Sequence, residues 1–348
     1  MWRVGRWALG IPLWRDEANL GLNILGRSFA DLARPLDYFQ VAPLLFLWIE
    51  KAVTLTLGAG DWAVRLVPTL ASVGALLLFA RLAVRAVAPL AAACATGFLA
   101  AAYYTTRYGS ELKPYSVDLL ASVLILSLAL EALDRPRAPW APALLVSVTP
   151  FLVGASYPAV FVAAAAGLVL AAHAVRERDG RFLLLAALHL VVTAGAFLLF
   201  FVLATSGQER VTGPDMRVFW APAFPPANPA RFPLWLLDIH AGNLSAYPVG
   251  GKYGGSTVTF LLTLAGGVAL IRLRRLRLVW LLLLPFLLNL VAAALHRYPY
   301  GDYARVAQHL APAICILAGC GIAALLERIP ERLAWRRHTA SATLGLLA

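Results

Sequence analysis

Nine apolar runs, each close to the length of a membrane-crossing helix, recur along this chain at 62–84, 88–106, 115–133, 140–157, 158–175, 182–205, 256–272, 277–296 and 305–326. A hydrocarbon core about 30 Å thick takes roughly 20 helical residues. Within it, backbone N–H and C=O groups must be satisfied internally, which leaves helices and closed barrels as spanning structures. Hydrophobic residues make up 61% of the 348 positions and charged residues 14%, too little polar surface to cover a soluble globule. The expected fold class is all-α: a polytopic membrane helical bundle of about nine spans.

The net charge of +12 first suggests a nucleic-acid partner. The basic residues, however, sit in small clusters between apolar runs, the pattern of loops retained in the cytoplasm, so no nucleic acid is expected. Cys94, Cys315 and Cys320 all lie inside apolar runs, without C-x-x-C spacing or a paired framework, and read as small packing residues. There is no cleavable signal peptide pattern, so the chain's own helices insert it. Pro89, Pro114, Pro139 and Pro158 stand at or near helix starts, where a missing N–H costs little.

The stretch 41–58 is also apolar, but it carries Glu50 and Lys51 near its middle, which is expensive in hydrocarbon. If it does not cross and 15–61 lies outside, five clusters fall inside. These are Arg81 and Arg85; Arg135 and Arg137; Arg176, Arg178 and Arg181; Arg272, Arg274, Arg275 and Arg277; and Arg328, Arg332, Arg336 and Arg337. A crossing would put all of them outside, against the positive-inside rule. The stretch is therefore placed along the membrane surface. Residues 17–34 read as a second interfacial helix: Ala18, Leu22, Leu25, Phe29 and Leu32 recur at helical spacing, with Arg27, Asp31 and Arg34 facing away.

The domain organisation that follows has an external loop at 1–61 with two juxtamembrane helices. A bundle at 62–205 contains a second external loop at 107–115. Then come an external loop at 206–255, rich in Pro, Gly and aromatics with a short helix at 231–240, a hairpin and last span at 256–327, and a cytoplasmic tail at 328–348. Residues 1–14 are too short to span, and 339–348 read as the start of another apolar segment. Both ends are expected to be incomplete, with a preceding span missing.

Three polar constellations fall on the external side. The first is Trp14-Arg15-Asp16-Glu17-Ala18. Its paired carboxylates suit a metal ion or a general base, or equally a helix cap with Asp16 as N-cap and Glu17 in the first turn. The second runs from Arg107 through Tyr108-Gly109-Ser110-Glu111-Leu112-Lys113-Pro114-Tyr115-Ser116-Val117 to Asp118. A helix starting near Glu111 would put Glu111, Tyr115 and Asp118 on one face, with Asp118 at the top of a membrane helix as a functional candidate. The bland alternative is an ion-pair staple among Arg107, Glu111 and Lys113. The third is Arg297-Tyr298-Pro299-Tyr300-Gly301-Asp302-Tyr303-Ala304-Arg305, continuing to Gln308 and His309. Arg305, Gln308 and His309 would share a helix face, and the arginine fork suits phosphate. The tyrosines read as interfacial anchors. His173, His189 and Asn289 are expected to make helix–helix hydrogen bonds, and Lys252 is an exposed base that could reach a phosphate.

In this order, the constellations resemble the GT-C superfamily of membrane glycosyltransferases, in particular bacterial family-39-like proteins related to protein O-mannosyltransferases and aminoarabinose transferases. The W-x-D-E-A motif at 14–18 is similar to the family's first external loop, and Gln40-Val41-Ala42-Pro43-Leu44-Leu45 to its Q-x-x-P-L element. Trp62-Ala63-Val64-Arg65-Leu66-Val67-Pro68 resembles a W-x-x-R-L-x-P lead-in to the next span. Ser110-Glu111-Leu112-Lys113-Pro114-Tyr115-Ser116 resembles the second loop, and Tyr298-Pro299-Tyr300-Gly301 with Arg305 a late Y-P-x-G-x-x-R element. The resemblance covers about 14–133 well and 296–326 moderately.

It implies a polyprenyl-phosphate sugar donor and transfer on the outer face of a bacterial inner membrane, to an acceptor glycan, lipid or protein. Membrane lipids are the other expected partners. Carried over, Asp16 is the acid/base position with Glu17 as its partner, and Glu111 or Asp118 is the second-loop carboxylate. Arg305, Lys113, His309 and Arg297 are the donor-phosphate candidates. A divalent metal at Asp16 and Asp118 is compatible with this pattern, but no His/Cys ligand set demands one. A transporter or lipid flippase would instead need charges lining the middle of several spans, and the runs here are nearly free of charge. A non-catalytic assembly protein with the same fold is the remaining rival.

Overall fold

The computed structural model describes residues 1–136, 138 and 140–328, and among these the chain is helical without a strand. In chain order the helices are α1 (Trp2–Ala8), α2 (Arg15–Gly26), α3 (Leu44–Leu57), α4 (Leu66–Ala86), α5 (Pro89–Ala101), α6 (Tyr103–Arg107) and α7 (Tyr115–Asp134). They continue as α8 (Trp140–Ala155), α9 (Ala159–Glu177), α10 (Gly180–Phe219), α11 (Phe232–Ala241), α12 (Thr257–Arg272), α13 (Leu276–Ala294) and α14 (Ala311–Leu326). Six are long and apolar enough to cross a bilayer: α4, α7, α9, α10, α13, and α14 with the 3₁₀ turn before it. The apolar runs behind α5, α8 and α12 form shorter helices, so among the described residues six of the nine expected spans reach full crossing length. The chain is an integral membrane protein.

Pro89 opens α5, and Pro114 and Pro158 directly precede α7 and α9, as the missing N–H favours. Pro139, Arg137, Arg332, Arg336, Arg337 and the apolar stretch 339–348 lie outside the described residues.

Two boundaries differ from the sequence pattern. The first interfacial helix stops at Gly26, and only a 3₁₀ turn at Asp31–Ala33 follows. Local polar bonds fold this segment back. Arg27 donates to the Pro35 carbonyl at 2.8 Å and to the Asp37 carboxylate at 2.8 Å, and the Ser28 hydroxyl reaches Asp31 at 2.6 Å. The buried side of α2 is Leu20 and Ile24, which share a core with Leu32, Phe46, Leu47 and Leu112. Leu22, Leu25 and Phe29 are exposed.

The second difference is at 206–219, where Ser-Gly and Gly-Pro pairs suggest a loop. There α10 instead continues through a wide turn at Phe201–Thr205 as far as Phe219. Gln208 anchors the extension. Its amide bonds both the N–H and the C=O of Ala42 at 3.2 Å and accepts from the Tyr157 hydroxyl at 2.9 Å. The short helix expected at 231–240 is α11. The stretch 41–58 forms α3, whose 14 residues rise only about 21 Å.

The helices sort into two compact units: residues 1–75 with 107–221, and 76–106 with the described residues from 222 onward. In the first, α7 packs against α8 and α9, α10 lies against both, and α3 rests on α8 and α2. His189 joins three of these helices as its position suggests, through Ala163 O at 3.0 Å and Thr149 Oγ1 at 3.5 Å. His173 lies 3.9 Å from Glu177 of its own helix and stands edge-on to the Phe182 ring of α10. In the second unit, α14 lies between α12 and α5. A Cβ at Gly266 would overlap the Leu317 carbonyl, and one at Gly321 the Leu262 carbonyl, so the small residues set the helix spacing. Asn289 donates to the Pro299 carbonyl at 3.3 Å, tying α13 to the turn beyond it rather than to another helix.

Candidate active site

In the first unit a buried ion pair fixes the polar segments. Glu17 is 1% exposed and Arg65 5%. Arg65 Nε donates to Glu17 Oε1 at 2.8 Å and Nη2 to Oε2 at 2.6 Å. The remaining acceptor capacity of the carboxylate takes the Leu112 N–H at 2.8 Å and the Trp14 N–H at 3.4 Å. The guanidinium also donates to the Ile11 carbonyl. The carboxylate of Glu17 thus ties together the start of α2, the lead-in to α4 and the second loop. The N-cap of α2 is Trp14 rather than Asp16, which frees Asp16 from the capping role that its position suggested.

Asp16, on the next position of the same turn, points elsewhere. Its side chain is 31% exposed, and Lys113 Nζ lies 3.1 Å from Oδ2. Gln40 completes a ring. Its Oε1 accepts from Lys113 Nζ at 2.6 Å, and its Nε2 donates to Asp16 Oδ1 at 3.2 Å and to the Tyr38 carbonyl at 3.1 Å. Lys113 and Gln40 are both 6% exposed, so of the three Asp16 is the one open to the outside. Arg65 and Gln40 carry no role in the sequence reading. They appear there only as letters inside two motifs, since their partners are distant in the chain.

Glu111 sits in a turn after the 3₁₀ segment Tyr108–Ser110, and α7 begins only at Tyr115. The expected alignment of Glu111, Tyr115 and Asp118 on one helix face therefore does not occur, because the chain turns at 111–114 before Pro114 opens the helix. Half of the expected staple forms: Arg107 Nε donates to Glu111 Oε1 at 3.3 Å, whereas Lys113 goes to Asp16. Arg6 of α1 adds a second cation at 3.9 Å. Asp118 is 3% exposed in the first turn of α7, and its Oδ1 has no hydrogen-bond partner among the described residues.

Burial pushes the Glu111 carboxyl above its ordinary range; the nearby Glu17 charge adds to this, and Arg107 and Arg6 oppose it. The folded state therefore binds a proton more readily than the unfolded chain. On this account the Glu111 contribution to stability falls as pH rises from the ordinary carboxylate range to the raised value, then levels off. Glu111→Gln should remove that slope. Thermal unfolding of wild type and variant in detergent across this range checks it, and parallel curves would contradict the assignment.

In the second unit, residues 301–307 form turns, and a 3₁₀ segment at Gln308–Leu310 precedes α14. Arg305 therefore does not share a helix face with Gln308 and His309, both of which are buried. The Arg305 guanidinium lies 5.7 Å from the Tyr303 ring centre, and Lys252 Nζ lies 4.9 Å from the same centre. Lys252 also pairs with Asp302 at 3.1 Å. The aromatic ring attracts both cations. Tyr300 is not an interfacial anchor: it is 2% exposed, and its hydroxyl lies 3.3 Å from His240 Nε2. Tyr298 donates to the Val306 carbonyl at 3.0 Å and stands edge-on to His309. Arg297 is exposed.

The all-helical fold of this chain is similar to that of solved structures of known proteins. The particular likenesses are to ArnT, an aminoarabinose transferase from Cupriavidus metallidurans, and to the archaeal oligosaccharyltransferase AglB from Archaeoglobus fulgidus. Apo ArnT matches with a TM-score of 0.57 at 16% identity over 96% of this chain and 59% of ArnT. ArnT bound to undecaprenyl phosphate matches with 0.57 at 17% identity over 96% and 60%. AglB, in complex with an inhibitory peptide and a dolichol-phosphate, matches with 0.53 at 13% identity over 95% of this chain and 50% of its own. The chain thus spans about three-fifths of the ArnT length, and the likeness is one of fold. No protein-family model matches the chain, and no curated protein matches it.

Among the described residues, no three or more His, Cys, Asp or Glu side chains gather where they could hold a metal ion. The Asp16 carboxylate already faces the Lys113 ammonium, which a divalent cation would have to displace. A divalent ion at Asp16 and Asp118 would thus compete with Lys113 for the Asp16 carboxylate.

Proposed function

We propose that this protein is a membrane glycosyltransferase that moves a sugar from a polyprenyl-phosphate donor to an acceptor hydroxyl or amine on the extracytoplasmic face of a bacterial inner membrane. The observation that carries the reading is the ring of Asp16, Gln40 and Lys113. It is built from three separate motif segments and leaves one partly exposed carboxylate beside a buried ammonium. A base and a cation are what displacement at a sugar–phosphate bond requires. Asp16 takes the proton of the acceptor O–H or N–H as the acceptor atom bonds to the anomeric carbon. The bond from that carbon to phosphate oxygen breaks, and its electron pair leaves with the lipid phosphate. Lys113 stabilises the departing charge. Glu17 holds the frame through Arg65, and Glu111 and Asp118 are the second-loop carboxylates that the resemblance suggests. Arg305, His309 and Arg297 are the donor-phosphate candidates that the family resemblance suggests. The fold shared with ArnT and AglB supports a polyprenyl-phosphate partner, which both were captured with in closely related form.

The test is transfer of label from undecaprenyl-phosphate-linked sugars to lipid, glycan and peptide acceptors in membranes containing this chain. Native mass spectrometry of the purified protein with undecaprenyl phosphate runs alongside. Label transfer from at least one donor, with retained lipid phosphate, is expected. Absence of both transfer and lipid-phosphate binding would overturn the proposal.

A further inference from the structure

We infer that Gln40 is a positioning residue that sets the orientation of the Asp16 base, an inference that rests on the transferase reading above. The amide is bracketed by groups of opposite character. Lys113 can only donate and the Asp16 carboxylate can only accept. The amide must therefore turn Oε1 to the lysine and Nε2 to the aspartate, the arrangement seen at 2.6 and 3.2 Å. No other uncharged side chain of this length offers an acceptor on one side and a donor on the other.

Asp16 receives one donor on each oxygen, Lys113 on Oδ2 and Gln40 on Oδ1. Two contacts on different oxygens fix both the side-chain rotamer and the plane of the carboxylate. An ammonium alone would fix neither, being a compact charge on a flexible stem. The Asp16 side chain stays 31% exposed, which leaves it accessible to an incoming acceptor.

The backbone is arranged to deliver this amide. Tyr38 and Phe39, directly before it, both take positive φ, 60° and 55°, a conformation that residues with a Cβ seldom adopt and that bulky ones resist. Their side chains are exposed, at 54% and 65%, so burial of these rings does not explain the conformation. The Tyr38 carbonyl accepts the second Nε2 hydrogen of Gln40 at 3.1 Å. The turn thus feeds the amide it presents, and backbone strain of this kind concentrates at functional sites.

The test uses the shape-matched variant Gln40→Met in the full chain. Loss of the orienting donor should lower kcat about 10–100-fold, with donor KM and thermal midpoint nearly unchanged, the signature of an interaction that matters in the transition state. Gln40→Glu, which keeps the acceptor for Lys113 but sets a carboxylate against Asp16, should be at least as impaired. In the Asp16→Asn background, Gln40→Met should add nothing, since residues acting as a unit are not additive. Independent, additive losses would overturn the assignment, as would a fall in kcat matched by a fall in stability.

An arm that needs no activity distinguishes this from failure of the transferase reading. The chain has three glutamines, Gln40, Gln208 and Gln308, so side-chain amide signals of [15N]glutamine-labelled protein are few. Those of Gln40, identified by their loss in Gln40→Met, should move in Asp16→Asn and in Lys113→Met while the others stay. Unmoved Gln40 signals refute the ring. Coupled signals in a protein that transfers no sugar refute the transferase reading, and with it the catalytic sense of the ring.

Discussion

Arg65→Met is expected to destabilise the protein by about 3–5 kcal/mol, the range for breaking a buried ion pair from one side. The guanidinium makes both of its bonds to Glu17 within 2.8 Å, and neither side chain is more than 6% exposed. Removing it leaves a buried carboxylate with only two backbone N–H donors, those of Leu112 and Trp14. It also orphans the Ile11 carbonyl. The damage should be partly relieved in the double variant Arg65→Met/Glu17→Gln, where the charge that made the loss expensive is gone. A double-mutant cycle on urea or thermal unfolding in detergent measures this directly. Equal and additive effects of the two single substitutions would mean that the pair is peripheral, against the geometry described.

Much of the architecture can be read from the chain because it is periodic or local. Each of the nine apolar runs became a helix, α11 formed where Phe-Pro-Leu-Trp-Leu-Leu-Asp-Ile-His suggested, and His189 made the interhelical bonds that a polar residue in an apolar run requires. Pattern failed where a competing local bond won. Arg27 and Ser28 fold the chain away from the helix at Gly26, and Gln208 keeps α10 helical through a glycine- and proline-bearing stretch. Helical spacing also misplaced Glu111 and Arg305, since both lie in turns just ahead of their helices. The motif letters located the polar segments, but the pairing inside them was illegible. Arg65 finds Glu17 across 48 positions and Lys113 finds Gln40 across 73, distances at which neither spacing nor propensity carries information. Glu17, read as the partner of Asp16, is engaged by donors on both oxygens, while Asp16 stays partly exposed.

The largest catalytic effect should come from Asp16→Asn. An asparagine keeps the size of the side chain and one acceptor oxygen, so the frame around Glu17 and Arg65 is untouched. It cannot take up a proton near neutral pH, and its NH₂ only donates, so it can accept from neither Gln40 Nε2 nor Lys113. If Asp16 is the base, kcat for sugar transfer should fall about 10²–10⁴-fold, the usual contribution of a positioned acid–base group. Binding of the donor should persist, because Lys113 is unchanged. The decisive measurement is therefore single-turnover transfer from a labelled undecaprenyl-phosphate sugar by wild type and Asp16→Asn in the same proteoliposomes, with undecaprenyl phosphate binding determined on both. Transfer abolished with binding retained is the predicted outcome; an Asp16→Asn protein that transfers sugar at the wild-type rate would contradict the role assigned to this carboxylate.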